Sequence, residues 1–168
     1  MPKENIIIHT DGSSLGNPGR AGWAAVLDWK GKRKEISGGY RLSTNNRMEI
    51  MAVLFALKSL KNNKYKIILH TDSNLIVDTV NKGWMKGWKQ RGWKKAKNKP
   101  VMNLDLIKEL DGLLEKYDVD FRWIKAHVGH SENERCDELA KIAAESGVEV
   151  DEYYEGKSME ADSSDSLF

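Results

Sequence analysis

An α/β fold is predicted, built on one five-stranded mixed sheet, with three antiparallel strands followed by parallel ones and helices flanking it. Three observations predict it. The elements run β-β-β-α-β-α, then a basic segment, then α-β-α. The first three strands are joined by short turns, a connection open only to antiparallel neighbours. The later strands alternate with helices, the pattern of parallel pairing through right-handed crossovers. The 168 residues suit one domain. With 40% hydrophobic and 31% charged residues, the chain is too apolar to be disordered.

Ile6–Thr10 reads as a short buried strand and Asp11–Gly19 (DGSSLGNPG) as a turn-rich loop. Gly22–Trp29 and Arg33–Tyr40 read as two strands around a tight turn at Lys30-Gly31-Lys32, the first with Trp23, Ala25, Leu27 and Trp29 on one face. Residues 45–60 form a helix with Met48, Met51, Ala52 and Phe55 at helical spacing. Thr44 or Asn45 is placed to cap it. Lys66–Thr71 is a buried strand and Ser73–Asn81 a short helix. Residues 82–100 are basic and irregular, closed by Pro100. Leu104–Lys116 is a helix, and Val119–Lys125 a strand with Val119, Phe121 and Trp123 on one face. Glu132–Ser146 is a last helix, ended by Gly147. Residues 1–147 make the folded body. The acidic tail, 148–168, has too few apolar residues to add a layer and is expected to be mobile.

The single cysteine, Cys136, excludes an internal disulfide framework. No stretch approaches the ~20 apolar residues of a membrane span, and the isoleucines at the N-terminus are too few for a secretory signal. A cytoplasmic protein with no membrane association is expected, and a monomer, since nothing demands a protein partner. The net charge of +2 conceals a segregation: residues 1–148 carry net +8, and seven acids against one base follow. A basic body suits a polyanionic partner.

The chemistry is read first from a local repetition. IIIHTDG and IILHTDS each place an aspartate, Asp11 and Asp72, directly after a buried apolar run. Ligands of open sheets gather at the carboxyl ends of parallel strands. If the two strands are adjacent, two carboxylates lie side by side, which requires a cation between them or a proton on one. Capping explains either aspartate alone, Asp72 above all, since it precedes a helix. Glu49 is the one charge in MEIMAVLFAL. It is either a costly buried carboxylate or a first-turn residue facing the helix dipole, at capping-box spacing from Asn46. Taken with the aspartates, it points to a hard cation such as Mg²⁺, bound through oxygen.

His9 and His70 lie two residues before the aspartates and share their strand faces. They read as core histidines or as neighbours of the carboxylate site. His127-x-x-His130 followed by Cys136 lacks the fourth ligand and the spacing of a zinc finger. A histidine in that loop suits a proton carrier. Residues 82–100 hold eight bases, no acid, and Trp84, Trp88 and Trp93. Cations meet phosphates and indoles pack on sugars or bases, so this segment reads as a nucleic-acid contact. The alternative is a solvated helix with its tryptophans turned to the core.

Five motifs, TDGSSLGNPG, TNNRMEI, TDSNLI, the GW-rich basic segment and HVGHSENERCDELA, occur in that order over about residues 5–146. Together they resemble the bacterial type 1 ribonucleases H, which cut the RNA strand of RNA–DNA hybrids. The resemblance implies a ribonuclease H-like fold over 1–147 with a basic protrusion near 82–100. It also implies an endonuclease in which Asp11, Glu49, Asp72 and Asp137 hold two Mg²⁺ ions, with Mn²⁺ as a substitute, and His127 assists proton transfer or product release. Products would carry 5′-phosphate and 3′-hydroxyl ends. Asp137 comes from the resemblance alone, although it borders the apolar stripe of Cys136, Leu139, Ala140 and Ala143. The resemblance further assigns Asn17, Asn45 and Asn46 to the RNA 2′-hydroxyls, and Thr44 and Asn103 to a DNA phosphate. Asn74 goes to the scissile phosphate, and Trp84, Lys86, Trp88 and Lys89 to the DNA strand. Leu42 stands where many relatives place an arginine, and Asn74 where a close relative has glutamine. An additional N-terminal hybrid-binding domain is expected to be absent, since only five residues precede Ile6. On residues alone, a binding module without catalysis and another nuclease on the same sheet architecture stay open.

Overall fold

A computed structural model of the chain describes residues 4–125 and 131–156. Five strands, β1 (Ile6–Leu15), β2 (Gly19–Trp29), β3 (Lys32–Ser43), β4 (Ile67–Thr71) and β5 (Val119–Trp123), form one sheet in the order β3-β2-β1-β4-β5. β2 is antiparallel to both β1 and β3, whereas β4 is parallel to β1 and β5. The helices are α1 (Asn45–Lys58), α2 (Asn74–Asn81), α3 (Trp84–Gln90), α4 (Leu104–Lys116) and α5 (Ser131–Glu145). The predicted five-stranded mixed sheet flanked by helices is what the chain forms.

Strand alternation decides which helix meets which face. Gly12 pairs with Trp23 on the α1 face, where Trp23 stacks on Phe55 with ring centroids 4.4 Å apart. Gly22 lies on the opposite face, where a Cβ would strike the backbone of α5 at Ala140. Glycine there and alanines at 140, 143 and 144 let α5 lie close against the sheet. α1 is enclosed between the sheet and α4, so ten of its fourteen residues are buried and its apolar positions run nearly all round. Thr44 caps it, its hydroxyl accepting from the Arg47 amide at 3.2 Å.

Four expectations need correction. β1 does not end at Thr10: Asp11 to Leu15 stay paired with β2, and the turn occupies only Gly16, Asn17 and Pro18. Pairing with β2 outweighs the low strand preference of glycine and serine. Residues 82–100 are not irregular throughout, since α3 starts after Gly83, whose φ of +73° suits glycine. β5 ends at Trp123 and not at Lys125; Val119, Phe121 and Trp123 do share a face, with Phe121 buried and Trp123 47% exposed at the strand's end. The segment 148–156 is packed, not a free tail: Glu149 bridges Tyr40, Asp151 is buried, and residues 152–156 make a helical turn. The remainder of the acidic tail lies outside the described residues.

Asp151 docks that segment through Arg47, a fully buried cation at the start of α1. The guanidinium bonds Asp151 at 2.7 Å and Asp105 of α4 at 2.7 Å, joining three distant parts of the chain. A buried ion pair broken on one side leaves the other charge stranded, at a cost of about 3–5 kcal/mol. Arg47→Met is therefore expected to lower stability by about that much. Urea unfolding checks it, and a loss below about 1 kcal/mol would contradict the structural weight given to Arg47.

Candidate active site

The register of β1 and β4 sets His9 opposite His70, so two residues further on Asp11 and Asp72 emerge side by side. Beyond this point β1 stays paired with β2 alone, while β4 gives way to α2, and a crevice opens between them. Gly12 lets α1 close the crevice, because any Cβ there would strike the backbone of Met48 and Glu49. Ligand oxygens of Asp11, Glu49 and Asp72 thus lie within 4.8 Å of one another. Ser73, not Asp72, caps α2, its hydroxyl accepting from the Ile76 amide. That removes the capping explanation of Asp72. The capping-box explanation of Glu49 also lapses, since Thr44 is the cap and Glu49 is 6% exposed.

Like charges crowded out of water hold on to protons. Burial first, then the charge of Asp72, pushes the Asp11 carboxyl up to about 7, even though the Gly12 amide donates to it at 2.9 Å. Burial, then Asp11 and Asp72, raises Glu49 well above the usual carboxylate range. Glu49 Oε2 is buried and lacks a hydrogen-bond partner among the described residues. A buried acceptor so placed, with two more carboxylates converging on it, fits a hard divalent cation bound through oxygen.

The surrounding cavity, about 370 Å³, is lined also by Asn45, Asn46, Ser73, Asn74 and Asp137. Asp137, from α5, therefore stands at the cavity of the cluster but outside its closest group, and Lys141 bonds it at 2.9 Å. Its charge contributes to raising Asp11. His127 and His130 lie outside the described residues. His9 and His70 stack with ring centroids 4.7 Å apart behind the aspartates.

Of the residues assigned to nucleic acid, Asn17 and Asn45 are drawn together, the Asn45 amide donating to Asn17 Oδ1 at 3.2 Å. Asn17, Thr44, Asn46 and Asn103 line a second cavity of about 520 Å³ that shares Asn46 with the first. In the protrusion, Trp84 is 41% exposed, while Trp88 and Trp93 pack against the core, so the indoles are divided between the two roles. Lys86 is exposed, and Lys89 is compensated by Asp111 at 2.9 Å and Glu115 at 3.0 Å.

Two contributors escaped the sequence reading. Trp123 Nε1 donates to the Asp72 carbonyl at 3.2 Å, tying the end of β5 to the site. Arg47 connects the start of α1 to Asn103, whose Oδ1 it meets at 3.4 Å. The signal for Arg47 was present: it is a cation one residue before an otherwise apolar helix run.

The sequence pattern of the RNase H family matches residues 3–145. The chain is 51% identical over 144 residues to the ribonuclease H of Nitratidesulfovibrio vulgaris strain DP4, covering 86% of this chain and 92% of that one. It is 48% identical over 153 residues to the ribonuclease H of Aliivibrio salmonicida, covering 91% and 96%. Among solved structures, LC9-RNase H1, a type 1 enzyme with the type 2 active-site motif, superposes with a TM-score of 0.76 at 29% identity, over 88% of this chain and 75% of that one. LC11-RNase H1 in complex with an RNA/DNA hybrid superposes with a TM-score of 0.64 at 28% identity, covering 84% and 98%.

Proposed function

The chain belongs to the ribonuclease H family, and from that membership we propose that it hydrolyses the RNA strand of RNA–DNA hybrids at the Asp11–Glu49–Asp72 cluster with two divalent ions. Mg²⁺ is the proposed ion, with Mn²⁺ as a substitute. The observation that carries this reading is the convergence of three carboxylates within 4.8 Å, two of them buried. A sheet gains nothing from that arrangement unless cations offset it. The family's hybrid substrate is supported by the relative captured with an RNA/DNA hybrid.

Asp11, Glu49 and Asp72 hold the ions, and Asp137 completes the set from α5. When bound, such ions activate a water and offset the charge that develops on the leaving oxygen. The protein's own groups place the substrate. Asn45 and Asn46, at the start of α1, present amide groups at the cavity rim, and Asn17 stands beside them in the adjoining cavity, where 2′-hydroxyls distinguish RNA from DNA. Asn74 stands at the lip of the same cavity, placed to donate to the scissile phosphate. Thr44 and Asn103 meet the DNA backbone, and Trp84 and Lys86 extend the grip along that strand, with Trp88 packed behind them against the core. His127 carries a proton at the leaving side.

Attack of an activated water on phosphorus with cleavage of the P–O3′ bond, O3′ leaving with a proton, would leave a 5′-phosphate and a 3′-hydroxyl. Attack by the RNA's own 2′-hydroxyl would instead leave a 2′,3′-cyclic phosphate. End-labelled products from a hybrid incubated with Mg²⁺ are expected to accept phosphate from a kinase only after removal of their 5′-phosphate. Cyclic ends, or cleavage that persists in chelator, would sink the mechanism.

A further inference from the structure

The segment 149–155, beyond the last predicted element, is fixed to the body at several points. Glu149 accepts from the Arg41 amide at 2.8 Å, and Asp151 accepts from Ser43 Oγ at 2.6 Å. Glu155 takes the Arg41 guanidinium at 2.9 Å. Between these anchors stand Tyr153 and Tyr154, half-buried, on the wall of the 520 Å³ cavity that also contains Thr44, Asn46 and Asn103.

The charge of that cavity is unusual for a place where a polyanion would lie. Arg47 lines it, but all five of its N–H groups are spoken for. Nε and Nη2 reach Asp151, Nη1 and Nη2 reach Asp105, and Nη1 also reaches Asn103. Two carboxylates surround one guanidinium, so Arg47 brings neither a donor nor net positive charge to a ligand. The remaining polar lining is neutral: amides, the Thr44 hydroxyl and the two phenols. Tyrosine is suited to such a site, since its hydroxyl donates to a phosphate oxygen and its ring packs on a sugar.

A duplex held at the carboxylates must extend past their cavity, and this second cavity adjoins it through Asn46. Resting on the hybrid reading above, we propose that Tyr153 and Tyr154 contact the sugar-phosphate backbone of the bound hybrid, so that the C-terminal segment forms one wall of the substrate groove. The contact is neutral. Its loss should weaken substrate binding without changing how binding depends on salt, unlike the loss of a lysine–phosphate contact.

The test is steady-state cleavage of an RNA–DNA hybrid over a salt series, with melting temperature measured in parallel. Tyr153→Ala/Tyr154→Ala is expected to raise KM about tenfold, leave kcat within about twofold, and keep the slope of log KM against log salt. Lys86→Ala should reduce that slope by about one. Tyr153→Phe/Tyr154→Phe preserves the packed rings and is expected to raise KM about threefold. It also serves if the alanine pair fails to fold. Hybrids carrying one uncharged methylphosphonate, placed at successive positions in the DNA strand or in the RNA strand, identify the strand. At one position the wild type should lose affinity and the phenylalanine pair should lose none further.

An unchanged KM in folded variants overturns the proposal, as does a changed salt slope or the absence of any such coupled phosphate. If the wild type cleaves no hybrid, the functional reading itself fails, and the proposal with it. Wild-type cleavage with indifferent tyrosine variants removes only the proposal.

Discussion

Asp72→Asn is expected to reduce hybrid cleavage on the order of a thousandfold or more, the scale on which pre-organised charge stabilisation acts in catalysis. The substitution is nearly isosteric and leaves the indole of Trp123 its acceptor, the main-chain carbonyl of residue 72. Ser73 caps α2, so no helix end depends on the carboxylate. The effect should therefore fall on chemistry and not on folding, with melting temperature unchanged or raised. Hybrid affinity in the absence of divalent ions should stay within a few-fold of wild type. Single-turnover cleavage, hybrid binding and thermal unfolding, measured on one preparation, check all three. Activity within about tenfold of wild type would remove Asp72 from the ion-binding set.

Asp11→Asn is expected to stabilise the metal-free protein at alkaline pH. The folded carboxyl titrates near 7, chiefly because it is buried and then because Asp72 is close, against an ordinary value of 3.8. Below about pH 4 both folded and unfolded states are protonated and nothing is lost. As pH rises, the unfolded carboxyl ionises while the folded one keeps its proton, so stability falls and the penalty is complete above about pH 7. The penalty is on the order of 4 kcal/mol, or about 10 °C in a domain of this size. Glu49 acts in the same direction. A divalent ion offsets the same repulsion. Mg²⁺ should therefore raise the melting temperature at pH 8, have little effect at pH 5, and have a much reduced effect on Asp11→Asn. A melting temperature independent of both pH and Mg²⁺ would contradict the electrostatic account of the cluster.

The site shows where local pattern suffices and where it does not. The twin motifs ending in Asp11 and Asp72 were legible because each joins a buried apolar run to a charge, and the parallel register aligns the two runs. Glu49 was legible because one charge interrupts an apolar helix. Asp137 was not, because a carboxylate in the acid- and base-rich start of α5 looks like any solvated face. Arg47 pairs with residues 58 and 104 positions away, a separation no periodicity reports. The same distance hid the packed segment around Asp151, whose acidic composition suggests a mobile tail until its cation is found. The continuation of β1 through Gly12, Ser13 and Ser14 was masked by turn-type residues that β2 holds extended. The division of the tryptophans in 82–100 follows from α3, which turns Met85 and Trp88 inward and leaves Trp84 exposed.

A nucleic-acid-binding module without catalysis would use the basic protrusion but would have no need of the carboxylates. A nuclease of different substrate would use the carboxylates but not the asparagines at the cavity rim. One measurement separates these from the present account: cleavage of a labelled RNA in Mg²⁺ when paired with DNA, beside the same RNA single-stranded, the same RNA paired with RNA, and a DNA duplex of that sequence. The account predicts cutting confined to the RNA of the hybrid and lost in Asp72→Asn. Intact hybrid in both Mg²⁺ and Mn²⁺ with folded protein, or equal cutting of the other substrates, would contradict it.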